Sequence, residues 1–380
     1  MHSNKIEMAP PPARPALQLL AVNLRLSMRK AEHQTLSQRG PSIAEYLDRP
    51  HWRGSPLRSV WESVPTLLLV VALWYGGAAL QIATGPLYLR AGFALAWSVL
   101  VLRGFILFHD CGHGSLFQGF KGASTVNWMS WHAFAAVCGT PVDWCVGHAL
   151  HHANVGNTDQ DDYDWAETIF HTSASYAKLG PGMRRVWKFF RHPIPFFILA
   201  PVATWYGRMR LPFEHRPGRK AAYRFSAKMI STALMVVRYW LASRIGIGAW
   251  TVFAGDYLAM FTGVVLFHWQ HAYTSGYVTL KGEEWSRIEA SLYGSSVLPV
   301  PWWFRWATCG IEYHHIHHFR TRIPGYMLRK CHEGAPPGMW DGVPFLSWAD
   351  LYRSLLVQCY DIDSRQYKTF AEVDASLKAR

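Results

Sequence analysis

Between Pro65 and Leu107 the chain carries only two charged residues, Arg90 and Arg103, and the turn Thr84-Gly85-Pro86 splits the stretch into two apolar halves. Each half holds roughly 20 residues, enough at about 1.5 Å per residue to cross a hydrocarbon layer of about 30 Å. The pattern predicts a hairpin of two membrane helices, over about 65–84 and 88–108. A second hairpin, over 229–247 and 250–269, is weaker because Arg238, Arg244 and Asp256 interrupt it. Each hairpin returns the chain to the side it left, so His109 and His271 are expected to emerge on one face of the membrane.

The formal charge of +13 would suit a nucleic-acid binder if the basic residues lay on one compact module. They cluster instead in polar stretches flanking the apolar ones, as the positive-inside rule places them on the cytoplasmic face, and this excludes nucleic acid as the partner. Nineteen tryptophans, many beside the apolar stretches, fit an interfacial aromatic belt. Residues 1–63 carry nine Lys/Arg against five acids and read as a basic cytosolic arm. The apolar piece Leu17–Leu26 is too brief, and too interrupted by Asn23 and Arg25, for a signal peptide. Six scattered cysteines without a CxxC pair are expected to be free thiols facing a reducing compartment.

Between the hairpins, the apolar pieces Trp128–Val137 and Pro193–Tyr206 are short and bear Pro or His, which predicts membrane-surface or half-inserted helices. After a Pro/Gly linker from Gly334 to Pro344, Ser347-Trp348-Ala349-Asp350 resembles a capping box. It opens a docking helix expected to run through Cys359 with Trp348, Leu351 and Leu355 on one face. The chain thus divides into the arm (1–63), a membrane domain (64–330) and a cytosolic tail with one docking helix (331–380). The fold class expected is an all-α integral membrane protein: four transmembrane helices in two hairpins, with a cytosolic helical cap holding a di-metal site.

Eight of the nineteen histidines fall in three sets: His109 and His113 in HDCGH, His148, His151 and His152 in HALHH, and His314, His317 and His318 in HHIHH. Residues at i, i+3 and i+4 share a helix face, so each set aims its imidazoles in one direction. Eight imidazoles exceed what one ion uses, and two metals follow. His271, at the end of the fourth expected span, is the ninth ligand, with His268 one turn earlier as its competitor. His315 falls outside the HxxHH spacing and is expected to stand behind the ligands. Asp110, Asp143, Asp159, Asp161, Asp162 and Glu312 are candidates to accept ligand N–H bonds; Asp110, Asp162 and Glu312 are singled out. Imidazole suits Zn, Cu, Fe and Ni, so residue type leaves the metal open.

HDCGH, GHALHHANVGN and GIEYHHIHHFRTRIPGY resemble the three histidine boxes of the membrane fatty acid desaturase family, in order, separation and relation to the hairpins. The similarity runs from about residue 60 to 330 and looks nearest to bacterial omega-6/delta-12-type acyl-lipid desaturases. Trp269-Gln270-His271 is similar to the family's Gln-His before the third box, and Gly294-Ser295-Ser296 to its small-residue run. The chain departs from the bacterial pattern at Ala272 to Gly276 and at Cys309-Gly310, next to proposed ligands but replacing none. The resemblance implies two non-haem iron ions, a cytosolic metal site with both termini on the same side, and O2-dependent dehydrogenation of a fatty acyl lipid. It implies no catalytic residue beyond the metal ligands, and its bacterial flavour implies a plasma membrane.

Removing hydrogen from an unactivated methylene is beyond His, Asp or Ser acting as acid, base or nucleophile, so the chemistry falls to the metal and O2. No haem, flavin or iron–sulfur motif appears in the sequence, and a separate electron donor, a ferredoxin or a cytochrome b5-like protein, is expected. The basic cytosolic surface would attract an acidic donor. The boxes do not separate desaturation from hydroxylation, acetylenation, epoxidation or carotenoid oxidation. A metal transporter would instead hold its ligands near the bilayer midplane, within the spans.

Overall fold

The computed structural model describes residues 40–157, 171–211, 221–273, 277–279, 285–361 and 363–378. Helix α1 (Pro56–Ala79) and helix α2 (Leu87–Gly112) form the first hairpin. α1 starts nine residues ahead of the expected span. Pro56 at its first turn is pre-set for helix entry, whereas Pro65 inside it forfeits only a single backbone bond without ending the helix. Its faces are reversed relative to a water-soluble helix. Ser59, Glu62, Ser63 and Thr66 are buried, while Leu57, Val60, Trp61, Leu68 and Val71 point outward. An apolar surface of that extent fits lipid rather than water.

α2 is the central helix, buried along most of its second half against α1, helix α3 (Ala123–Cys138) and the later hairpin. That hairpin is helix α7 (Ala221–Arg244) and helix α8 (Ala249–His271). α8 packs closely along α2, where a Cβ at Gly255 would lie 2.6 Å from the Trp97 ring. The two hairpin turns meet, the Ala83 N–H donating to Gly246 O (2.9 Å). Among the described residues, three stretches are long and apolar enough to cross a membrane: Pro50–Ala79, α2 and α8. α7 has the length but not the apolarity, since it carries Arg224, Lys228, Arg238 and Arg244. Arg238 and Asp256, which weaken the second hairpin in the sequence, neutralise each other within it at 2.6 Å. Asp256 also accepts from Trp97 Nε1 (2.9 Å) and the Tyr239 hydroxyl (2.8 Å).

Helices α3, α4 (Trp144–Asn154), α5 (Pro181–Phe190) and α6 (Pro193–Val202) lie between the hairpins. None exceeds 16 residues, too short to span. The C-terminal end of α3 is held from within: Arg238 Nη1 donates to Val137 O (2.8 Å) and Arg210 Nη2 to Gly139 O. These cations satisfy carbonyls that a helix end leaves without partners.

Beyond the hairpins come helices α9 (Arg287–Tyr293), α10 (His314–Phe319), α11 (Gly325–Glu333), α12 (Trp348–Leu356) and α13 (Phe370–Lys378). The Ser347 capping box forms in both directions. α12 nevertheless stops at Leu356, not Cys359, because residues Cys359–Asp361 turn into a strand. Leu351 is buried, but Trp348 is exposed rather than sharing its packing. The tail therefore holds more than one docking helix. Strand Cys359–Asp361 pairs with Gln366–Lys368 and, in parallel, with His171–Thr172, a small sheet in an otherwise helical chain.

Candidate metal centre

The last turn of α2 presents His109, with His113 just past it, and the end of α8 presents His271; α4 supplies His148, His151 and His152, and α10 supplies His314, His317 and His318. Because α2 and α8 both end at these histidines, both hairpins deliver them to one end of the molecule. The nine form two groups: His109, His113, His148, His152 and His317, and then His151, His271, His314 and His318. Within each group one nitrogen per residue lies within 4.8 Å of all the others.

Helix geometry explains the partition. Positions i and i+4 differ by about 40° around a helix and i+3 diverges to the other side. Thus His148 and His152 serve the first group while His151 turns to the second. On α10 the roles exchange, with His314 and His318 in the second group and His317 in the first. The groups abut, the His152 and His318 rings lying 4.2 Å apart at 29°.

In the first group Nε2 of His317 lies 3.0 Å from that of His109 and 2.9 Å from that of His152, which is 3.0 Å from that of His148. In the second, His271 Nε2 is 3.1 Å from that of His151 and 3.0 Å from that of His314, with His318 Nε2 3.1 Å from His314. Nitrogens bound to a single ion at about 2.1 Å, at right angles, stand about 3.0 Å apart. The spacing therefore fits a cation at the focus of each group. Burial first, and neighbouring imidazoles second, push His148, His151, His152, His314, His317 and His318 well below the usual histidine value. Neutral imidazole is the form that binds metal.

Two of these histidines are fixed from behind. His271 Nδ1 donates to Gly294 O (2.7 Å), and His109 Nδ1 lies 3.2 Å from Asp110 Oδ1, whose Oδ2 accepts the Gly325 N–H (2.7 Å). Each bond assigns the proton to Nδ1 and leaves the Nε2 lone pair facing the focus. The rings also pack on aromatics absent from the sequence reading: Trp144 stacks on His148 (4.4 Å, 17°) and Phe267 lies 5.0 Å from His271. Trp144 sits one helical turn before His148, a signal available in the sequence.

The remaining candidates lie elsewhere. His268 Nε2 bonds Ser354 O (2.8 Å) and belongs to neither group. His315 pairs through Nε2 with His332 Nδ1 (3.2 Å) and packs on Trp340, so it braces α10 rather than a ligand nitrogen. Glu312 accepts from the Thr308 hydroxyl (2.7 Å). Asp143 is buried at the start of α4. Asp159, Asp161 and Asp162 fall outside the described residues.

Membrane-length helices that converge nine imidazoles at one end, eight buried and His113 half-buried, define a helical protein of the membrane type with a histidine-rich centre able to hold metal. The fatty acid desaturase family model matches residues 83–346, and the chain belongs to that family. This makes it an oxidoreductase of fatty acid metabolism. It is 26% identical over 278 residues to a fatty acid desaturase of Bacillus subtilis, covering 71% of this chain and 74% of that one. To an endoplasmic reticulum omega-3 fatty acid desaturase of Nicotiana tabacum it is 26% identical over 352 residues, 85% and 86% of the two chains. To the sn-1 acyl-lipid omega-3 desaturase (ferredoxin) of Synechocystis it is 25% identical over 289 residues, 73% and 76% of the two chains.

Proposed function

We propose that the chain is a multi-pass membrane enzyme that uses O2 to introduce a double bond into a fatty acyl chain at a centre of two iron ions. His109, His113, His148, His152 and His317 hold one ion; His151, His271, His314 and His318 hold the other. The observation that carries this reading is the meeting of nine imidazoles, eight buried and His113 half-buried, drawn from four parts of the chain, in two adjoining groups with ligand spacing. Iron, when bound, supplies the redox chemistry with O2 that the side chains lack. Asp110 and Gly294 O orient His109 and His271, Trp144 and Phe267 pack against the ligand rings, and the buried setting keeps the imidazoles neutral and water out.

α7 is the fourth span in this reading. Its outward residues Ile230, Leu234, Val237, Trp240 and Leu241 are apolar, and its Arg238 is turned inward onto Asp256. With four spans, the basic arm, the metal centre and the tail share the cytosolic side of a bacterial plasma membrane. Electrons come from a separate acidic donor, a ferredoxin or a cytochrome b5-like protein, drawn to the basic face. The name of the Synechocystis relative, which includes ferredoxin, favours the first.

The test is expression in a bacterial host supplied with such a donor, beside a variant with His317→Ala and His318→Ala whose accumulation in the membrane is verified. Fatty acids are then compared by gas chromatography with mass spectrometry. A new unsaturated acyl chain made only by the intact protein is the expected result. An oxygenated lipid in its place would retain the centre and overturn desaturation.

A further inference from the structure

From His171 to Leu211 the chain carries seven Lys/Arg and no acidic residue. Within this stretch α5 is divided lengthwise. At 100° per residue, Met183, Val186, Phe189 and Phe190 occupy an arc of about 120°, and Arg184, Arg185 and Lys188 fill an arc of about 100° opposite them. The apolar arc is open to the surroundings: Met183 is 50%, Val186 46%, Phe189 61% and Phe190 50% exposed. On the basic arc, Arg184 and Lys188 reach Asp374 of α13 (3.7 and 2.5 Å), which ties α5 to the tail. Arg185 is exposed and makes no ion pair among the described residues.

The next helix fixes the level at which α5 lies. α6 runs beside the spanning helix α8: the Tyr257 hydroxyl donates to Ile198 O (3.1 Å), and Phe197 packs on His268 at 5.1 Å. Ile194, Ile198, Leu199 and Val202 extend the outward apolar surface along it. α5 precedes α6 by two residues and so sits where α8 reaches the metal end of the molecule. We infer that α5 lies in the plane of the membrane interface, its Met183/Val186/Phe189/Phe190 face among acyl chains and its basic flank against anionic phospholipid headgroups. An apolar face continuous with a span, inside a segment of purely positive charge, is the combination that such a lipid surface binds. The inference rests on the membrane-spanning part of the proposed function and not on its chemistry.

The test places an environment-sensitive fluorophore at Phe189→Cys, Arg185→Cys or Leu68→Cys in the full chain, reconstituted in lipid nanodiscs. All six native cysteines are buried or half-buried, and the unsubstituted chain gives the background. Position 189 is expected to lose fluorescence to nitroxide-bearing lipid but not to aqueous iodide, and position 185 to do the reverse. Adding phosphatidylglycerol to phosphatidylcholine discs deepens the lipid quenching at 189, and high salt abolishes that gain. Iodide quenching at 189, or shielding from both quenchers as a protein partner or a second copy would cause, overturns the inference while Leu68 still reports lipid. Loss of the lipid signal at Leu68 as well overturns the spanning reading itself.

Discussion

Which nitrogen carries the proton decides what each histidine at this centre can do. Asp110 and Gly294 O hold Nδ1–H on His109 and His271, so removing the acceptor releases the ring. Asp110→Asn is expected to lower metal affinity by about 10–100-fold, read by competition with a chelator, while His268→Ala leaves metal content unchanged. Acidification acts on the same rings. In the metal-free protein the six cap imidazoles titrate well below 6.5, and in the unfolded chain near 6.5, so the unfolded state binds more protons between those values. The stability they contribute is complete at neutral pH and is lost as pH falls below about 6.5. The Tm of the chelator-treated protein should drop between pH 7.5 and 5.5, and a flat profile would put these rings in water. That these histidines converge was legible in the sequence because it follows helical spacing; the division of each HxxHH box between two groups was not. That division depends on how α4 and α10 face each other, which no local pattern records.

Among the helices, polar residues decide which apolar stretches are stable in place. Arg238 and Asp256 read in the sequence as defects of the second hairpin, yet they are its cross-link, joined by Trp97 and Tyr239. Removing one member strands a buried charge. Arg238→Met is expected to destabilise the folded protein by about 3–5 kcal/mol, and the double change with Asp256→Leu to recover most of it, measured by thermal unfolding in detergent. The apolar runs located the long helices, whereas α1 and α7 begin earlier than their apolar runs; the first turns of α1 bury Glu62 against Arg103 of α2 and Ser59 against Leu116 O and the Tyr326 hydroxyl. The small sheet escaped notice for a related reason. Strands of two and three residues are too short for alternation to register, and one partner, His171–Thr172, lies far from the tail it binds.

For the whole molecule, the two hairpins act as a frame that brings four separated histidine segments to one end. Deleting the tail from Trp348 would remove α12, whose carbonyls accept from His268 and Trp269 at the end of α8. Such a truncation is expected to reduce metal content along with product, measured by metal analysis of purified protein, because His271 sits in the same last turn. Full occupancy in the truncated protein would show that the frame alone orients α8. The match across residues 83–346 includes all nine histidines, α2 and the second hairpin, which is why the family was legible from the boxes. The acyl carrier and bond position were not, since they depend on the shape of a path that no motif encodes.

His109 and His317 meet at 3.0 Å although 208 residues separate them. With the four spans proposed, the first box would be in place long before the last is translated, and neither group would be complete until α10 has left the ribosome and folded back beneath both hairpins. Metal uptake would then be a late event that responds to finished topology: a chain with one hairpin misinserted would deliver its boxes to opposite sides of the bilayer and stay empty. A cell that degrades metal-free copies would thereby use the centre as its own proofreader of membrane insertion.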